Sequence, residues 1–222
     1  MRDKLLMSSV RTLAIQPEER HRLAVHESGH TAVAHYLSYA DPLYKVTIIP
    51  RGRTLGGTHM LPDKERHTLP EPYLKDQLAV ILGGRTAERE LLGSVSSGAD
   101  DDIQRATQMA RAMVARWGMS EHVGPVDLRQ SEEHPFLGRE IAQPRRFSET
   151  TAHEVDKAVA ELLQEAEDRA SETIRQNRSR IEKLITALES KETLGRDEIV
   201  SYLGPDRSHV GSVTVLAPRS QT

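Results

Sequence analysis

The segment His26-Glu27-Ser28-Gly29-His30 lies inside an apolar helical run, with Leu23, Ala24 and Val25 before it and Ala32, Val33, Ala34 and Leu37 after it. That setting constrains the fold more than any other stretch. Two imidazoles and a carboxylate on a buried or half-buried helix are costly unless something else in the molecule pairs with them. Residues four apart stand one above the other on a helix, so His26 and His30 share a face. H-E-x-x-H at that spacing lets both rings bind one zinc ion, and Glu27 can reach a water on it. Zinc brings bound water towards neutral pKa and the carboxylate takes its proton, the chemistry of peptide-bond hydrolysis without a covalent intermediate.

Bulk properties narrow the alternatives. At 222 residues the chain has room for one large domain, or a domain with a helical extension. A net charge of −3 and 4% aromatic residues give no electrostatic or stacking case for nucleic acid. The absence of cysteine excludes disulfides and thiolate-bound zinc. No apolar run approaches bilayer-spanning length and the N-terminus lacks a signal-peptide core, so the expectation is a soluble, cytoplasmic molecule.

Along the chain, residues 1–20 read as a linker, with Pro17 near the start of the motif helix. That helix is expected to run to about Tyr39, stopped by Asp41-Pro42. Val46-Thr47-Ile48-Ile49 is a strand signal, and residues 53–60, with Gly56-Gly57, a second strand or irregular edge. Residues 61–72 read as a loop. A helix over 73–92 follows, interrupted by Gly83-Gly84, a pair tolerable where another backbone packs closely. Ser96-Ser97-Gly98 caps a helix from Asp100 to Trp117 that Gly118 ends. Residues 118–146 are loop-rich. Residues 148–188 are helical and charged, expected as two helices broken near Asn177. A short helix spans 196–202, and 204–222 reads as a disordered tail.

A catalytic zinc needs a third protein ligand and an open position. A third histidine six residues after His30 is excluded, because Tyr36 stands there and Val33 replaces the required glycine. An Asn-Glu-x-x-x-Glu helix is excluded as well: the single asparagine, Asn177, precedes Arg178. Asp100, Asp101 and Asp102 remain, on a helix whose buried face is expected at Ile103, Ala106, Ala110 and Val114. They either complement the helix dipole, worth under about 1 kcal/mol each, or turn one carboxylate inward onto a cation.

At this point the chain resembles the proteolytic domain of the FtsH-type ATP-dependent zinc metalloproteases. Arg2-Asp3-Lys4-Leu5-Leu6-Met7 looks like the family's junction with its ATPase module. His26-Glu27-Ser28-Gly29-His30 matches H-E-A-G-H, and Asp41-Pro42 with Lys45-Val46-Thr47-Ile48-Ile49-Pro50-Arg51-Gly52 matches D-P-x-x-K-V-T-I-I-P-R-G. Gly83-Gly84-Arg85-Thr86-Ala87-Glu88 is similar to G-G-R-x-A-E, and Ser97-Gly98-Ala99-Asp100-Asp101-Asp102-Ile103 to T-G-A-x-N-D-I. Trp117-Gly118-Met119-Ser120 and Phe136-Leu137-Gly138-Arg139 complete the set. The resemblance implies a mainly α, zincin-like metallopeptidase core (21–146) with a small hairpin or sheet near the site and a helical region (147–203). It implies Zn2+ held by His26, His30 and Asp102, with Glu27 as general base. Two departures stand out: Ser28 replaces the usual Ala and is expected to add a hydrogen bond near the site, and Asp100-Asp101 adds charge or a rival ligand beside the metal.

No G-x-x-x-x-G-K-[ST] loop occurs, so the motor is not on these residues: the chain is either a proteolytic domain of a longer protein, with the motor there or on a partner, or a stand-alone homologue that has lost it. The resemblance further implies polypeptide substrates, a homo-oligomer in the form of a hexameric ring, and membrane association if the chain is part of a longer protein of that kind. Substrate is expected to lie extended along residues 54–60. Glu88 is read either as a holder of one histidine tautomer or as a surface ion pair. The rival function is a catalytically silent assembly module for an ATPase or sister subunit.

Overall fold

The computed structural model describes residues 16–50, 56–61, 67–128 and 147–205. The junction at residues 2–7, Arg51-Gly52, Thr54, the Phe136-Leu137-Gly138-Arg139 match and residues 206–222 of the tail lie outside the described residues. What is described is mainly helical with a small antiparallel sheet, in agreement with the expected class.

Helix α1 (Pro17–Tyr36) begins as its letters require, with Pro17 in the first turn and Glu18 and Glu19 facing the positive end of the dipole. All twelve residues from 24 to 35 are buried. The helix stops at Tyr36, three residues short of expectation. Asp76 is the reason: its Oδ2 accepts the Tyr39 amide hydrogen at 2.9 Å, which turns the chain out of the helix. Asp76 is itself fully buried and paired with Arg169.

Strand β1 (Leu43–Thr47) lies earlier than the expected 46–49 run, and Ile49 is exposed. It is the centre of a sheet ordered β2-β1-β3, with β2 (Gly57–Met60) and β3 (Thr193–Gly195) antiparallel on either side. The three-residue β3 is too short to carry a periodic signal. It is fixed by tertiary contacts, Val46 opposite Leu194 and the Thr47 and Thr193 hydroxyls 2.8 Å apart.

Helix α2 (Glu71–Ala87) runs straight through Gly83-Gly84 and continues as a π-helical turn, Glu88–Leu92. The glycines therefore do not interrupt it. They admit α1: a Cβ on Gly29 would stand 2.3 Å from the Gly83 carbonyl oxygen, and one on Gly83 would stand 3.0 Å from that of Gly29. The α1–α2 crossing is the most extensive packing in the molecule.

A 3-10 turn (Ser97–Ala99), capped by the Ser96 hydroxyl on the Gly98 amide, leads into α3 (Asp100–Ala115). Its packing face begins at Ala106 and continues through Ala110, Met113 and Val114, whereas Ile103, expected on that face, is exposed. Helices α4 (Glu149–Gln176) and α5 (Arg178–Lys191) are separated at Asn177, as the sequence indicates. The Asn177 amide donates back to the Thr173 carbonyl at 2.9 Å, and its own carbonyl accepts from Arg180 and Ile181 to start the next helix. Ser148 caps α4. Helix α6 (Arg196–Leu203) closes the described chain. None of the described helices is long and apolar enough to cross a membrane.

Candidate metal centre

Four elements converge where α1 crosses α2. On α1, His26 and His30 stack edge-on, ring centroids 4.7 Å apart, with their Nε2 atoms 3.0 Å apart. From the first turn of α3, Asp102 places Oδ2 3.2 Å from His26 Nε2 and 3.1 Å from His30 Nε2. These three are the one group of metal-competent side chains among the described residues. Asp100 and Asp101 point outward and are exposed, so neither is brought to the cluster. The expected choice within the triplet is resolved by helix phase: only the third aspartate faces α1.

The opposite edge of each ring is fixed. His30 Nδ1 lies 2.7 Å from the Val80 carbonyl oxygen, an obligate acceptor, so the hydrogen sits on Nδ1 and Nε2 offers its lone pair to the cluster. The Gly84 amide is 3.3 Å from that same nitrogen. With the ring hydrogen already committed to the shorter contact, this is packing. His26 Nδ1 lies 2.9 Å from Glu88 Oε1, while Glu88 Oε2 accepts from Arg22 at 2.8 Å and Oε1 also accepts from Ser96 at 3.1 Å. Glu88, 1% exposed, is thus inward, and the surface-pair reading is excluded. It sits at the start of the π turn, a local widening common near functional positions. Arg22 was not singled out from the sequence, and Ser96 was read only as part of a helix cap. Their contacts span 66 and 8 residues, and no local spacing announces them.

Such an arrangement attracts positive charge. Burial pushes the His26 imidazole down, but hydrogen bonds to Asp102 and Glu88 and the charges of Glu27 and Asp102 outweigh it and raise its pKa to about 9. Burial likewise pushes the Asp102 carboxyl up, and the two histidines overcome this and hold it well below the usual carboxylate range. Two imidazole nitrogens and a carboxylate oxygen, mutually 3.0–3.2 Å apart, are a proton trap or a metal trap. In a tetrahedral zinc site with bonds of about 2.0–2.1 Å, ligand atoms lie about 3.3–3.4 Å apart. The donor set therefore fits zinc after an opening of a few tenths of an ångström, and three protein donors leave the fourth position free. Gly84 makes the space: a Cβ there would stand 2.5 Å from both Nε2 atoms.

Glu27, on the adjoining face of α1, is buried, and its Oε2 lies 3.1 Å from the Thr58 hydroxyl on β2. Ser28 is fully buried, and among the described residues its hydroxyl has no hydrogen-bond partner, so the bond anticipated for it near the site is not seen there. His35 is a structural histidine, its Nε2 3.0 Å from the Gly204 carbonyl oxygen. His59 is exposed on β2.

Residues 13–202 match the model of Peptidase family M41. The chain is 64% identical to the ATP-dependent zinc metalloprotease FtsH of Hahella chejuensis over 198 residues, 89% of this chain and 32% of that protein. It is 46% identical to the protein of the same name from Nitrosococcus oceani, over 89% of this chain and 31% of the relative. With ATP-dependent zinc metalloprotease FtsH 1 of Rhodopirellula baltica it shares 43% identity, over 92% of this chain and 30% of the relative. The chain thus spans about a third of the length of the curated relatives it matches. A two-histidine, one-carboxylate cluster built from two helices and a family match over most of the sequence lead to one conclusion: the chain belongs to peptidase family M41.

Proposed function

We propose that this chain is a zinc-dependent endopeptidase that hydrolyses peptide bonds in unfolded proteins or peptides, with His26, His30 and Asp102 as metal ligands and Glu27 as general base. The observation that carries the reading is the convergence of His26 Nε2, His30 Nε2 and Asp102 Oδ2 within 3.0–3.2 Å of one another, beside a buried glutamate. When bound, zinc supplies a Lewis acid that polarises the scissile carbonyl and acidifies water. The remaining work belongs to the protein. Glu27 accepts the water proton and passes it to the leaving amine. Glu88 and the Val80 carbonyl hold the two rings in one tautomer and orientation. Strand β2, at the edge of the sheet, offers main-chain groups to an extended substrate.

The relatives' names make them ATP-dependent. These 222 residues contain no phosphate loop, so we assign them hydrolysis and not motor action. The test is Glu27→Gln. Cleavage of an unfolded casein probe is expected to fall by about 10²–10⁴-fold, with zinc content and helical CD unchanged. Undiminished cleavage by the variant removes the general-base assignment. Zinc bound with no cleavage by the parent chain leaves the silent-module reading in its place.

A further inference from the structure

We infer that Thr58, on the edge strand β2, is a positioning residue that fixes the carboxylate of Glu27 and so sets the aim of the base. The inference rests on the endopeptidase reading for its catalytic consequence, although the tether itself stands on geometry alone. The Thr58 hydroxyl lies 3.1 Å from Glu27 Oε2, 3.1 Å from the Glu27 main-chain carbonyl oxygen and 3.1 Å from the Thr31 hydroxyl. A hydroxyl has one hydrogen to give. Thr31, one turn along α1, has a shorter contact of 2.8 Å to the Glu27 carbonyl oxygen and occupies that acceptor itself. Thr58 is therefore left facing a main-chain oxygen already in use, a hydroxyl whose own hydrogen is given away and which can only accept, and a carboxylate. The charged acceptor forms the stronger bond, so the Thr58 hydrogen goes to Oε2.

The other carboxylate oxygen meets the residue that leads into the strand. A Cβ on Gly56 would stand 3.0 Å from Glu27 Oε1 and 2.9 Å from the Thr47 carbonyl oxygen. Glu27 thus meets this segment twice, by the Thr58 hydroxyl on Oε2 and by the bare backbone of Gly56, just ahead of the strand, beside Oε1. A glutamate has three side-chain torsions, and a helix leaves several rotamers open to it. Fixing Oε2 selects one of them and leaves Oε1 as the oxygen free to take a proton. A strand on which substrate is expected to lie would then also orient the base.

The experiment compares Thr58→Val, which keeps shape and removes the hydroxyl, with Thr58→Ser, which keeps the hydroxyl and removes the methyl. High-resolution crystal structures of the zinc-loaded parent and both variants are read for the Glu27 side chain, alongside steady-state cleavage of a fluorogenic peptide. A single Glu27 conformer is expected in the parent and in Thr58→Ser, and several or a rotated one in Thr58→Val. A kcat loss of about 10–100-fold is expected for Thr58→Val, with KM nearly unchanged, equal zinc content, and Thr58→Ser within a few-fold of the parent. An unmoved Glu27 in Thr58→Val overturns the inference, as does equal damage by the two variants or a loss confined to KM. If the zinc-loaded parent cleaves nothing, the endopeptidase reading fails, and the crystallographic comparison still decides the tether.

Discussion

Helices α1 and α4 are both long and both central to the packing, yet they are buried on opposite plans. α4 spans 28 residues and buries a single stripe, Val155, Ala158, Val159, Ala166, Ala170, Ser171 and Ile174, with charged groups elsewhere. Its hydrophobic rhythm says which way it faces. α1 is buried on every side from 24 to 35, and six of those twelve residues are His26, Glu27, Ser28, His30, Thr31 and His35. Periodicity is silent there; the polar residues are the signal. Each needs a partner brought from elsewhere: Glu88 for His26, the Val80 carbonyl for His30, Thr58 for Glu27, the Gly204 carbonyl for His35. Ser28 alone goes without one among the described residues. A stripe helix stabilises by area, whereas a fully buried polar helix is tolerated because its surroundings are specific, and that specificity is where chemistry is housed.

The comparison can be broken most severely at the α1–α2 crossing. Gly29→Ala would drive a methyl group to 2.3 Å from the Gly83 carbonyl oxygen and 2.5 Å from the Ala87 Cβ, both rigidly held. It is expected to destabilise by about 3 kcal/mol or more, read by denaturant unfolding, whereas Lys157→Ala on the exposed side of α4 stays within about 0.5 kcal/mol. Equal effects would mean that α1 packs no more tightly than α4. Gly84→Ala tests the site more than the fold. Its Cβ would intrude on both Nε2 atoms, so zinc uptake measured by metal analysis is expected to be lost with helical CD retained.

A milder change sharpens the role of the partners. Glu88→Gln keeps size and a contact to His26 but removes the charge, and zinc affinity by competition with a chelating dye is expected to fall by about 10–100-fold. Unchanged affinity would reduce Glu88 to a packing residue. The smallest effect is expected two residues on, where the π turn sends Glu90 outward to α4. Arg175, with Ser171 and Arg89, holds the Glu90 carboxyl below its ordinary value of 4.5. A depressed folded-state pKa contributes stability that is present above 4.5 and is lost as pH falls through the lower folded value. Glu90→Gln should therefore flatten the acid limb of a stability–pH profile while costing under about 1 kcal/mol at neutral pH, since Arg175 is largely solvent-exposed. An acid limb as steep as the parent's would remove Glu90 from that role.

What the letters disclosed follows the same division. The break at Asn177 and the apolar stripes of α4 and α5 are local in origin and were legible. The pairing of His26 and His30 was legible on α1 because i and i+4 is a local relation, while Asp102, the third ligand we propose, came from resemblance to a known family. Long-range partners set what was not legible. β3 exists because three residues find β1 about 146 positions away, and α1 ends early because Asp76 captures a main-chain amide. The glycine pair on α2 reads as a break until Gly29 is placed opposite it. Thr58 and Arg22 carry no motif, and their roles appear only when the strand and the π turn are laid against α1.

The central claim is that one divalent cation is shared by His26, His30 and Asp102 to the exclusion of the neighbouring acids. Zinc per chain, measured by inductively coupled plasma mass spectrometry on Asp102→Asn and Asp100→Asn prepared side by side, tests it directly. Close to one zinc per chain is expected for the parent and for Asp100→Asn, and a large deficit for Asp102→Asn. Equal zinc in the two variants would contradict it.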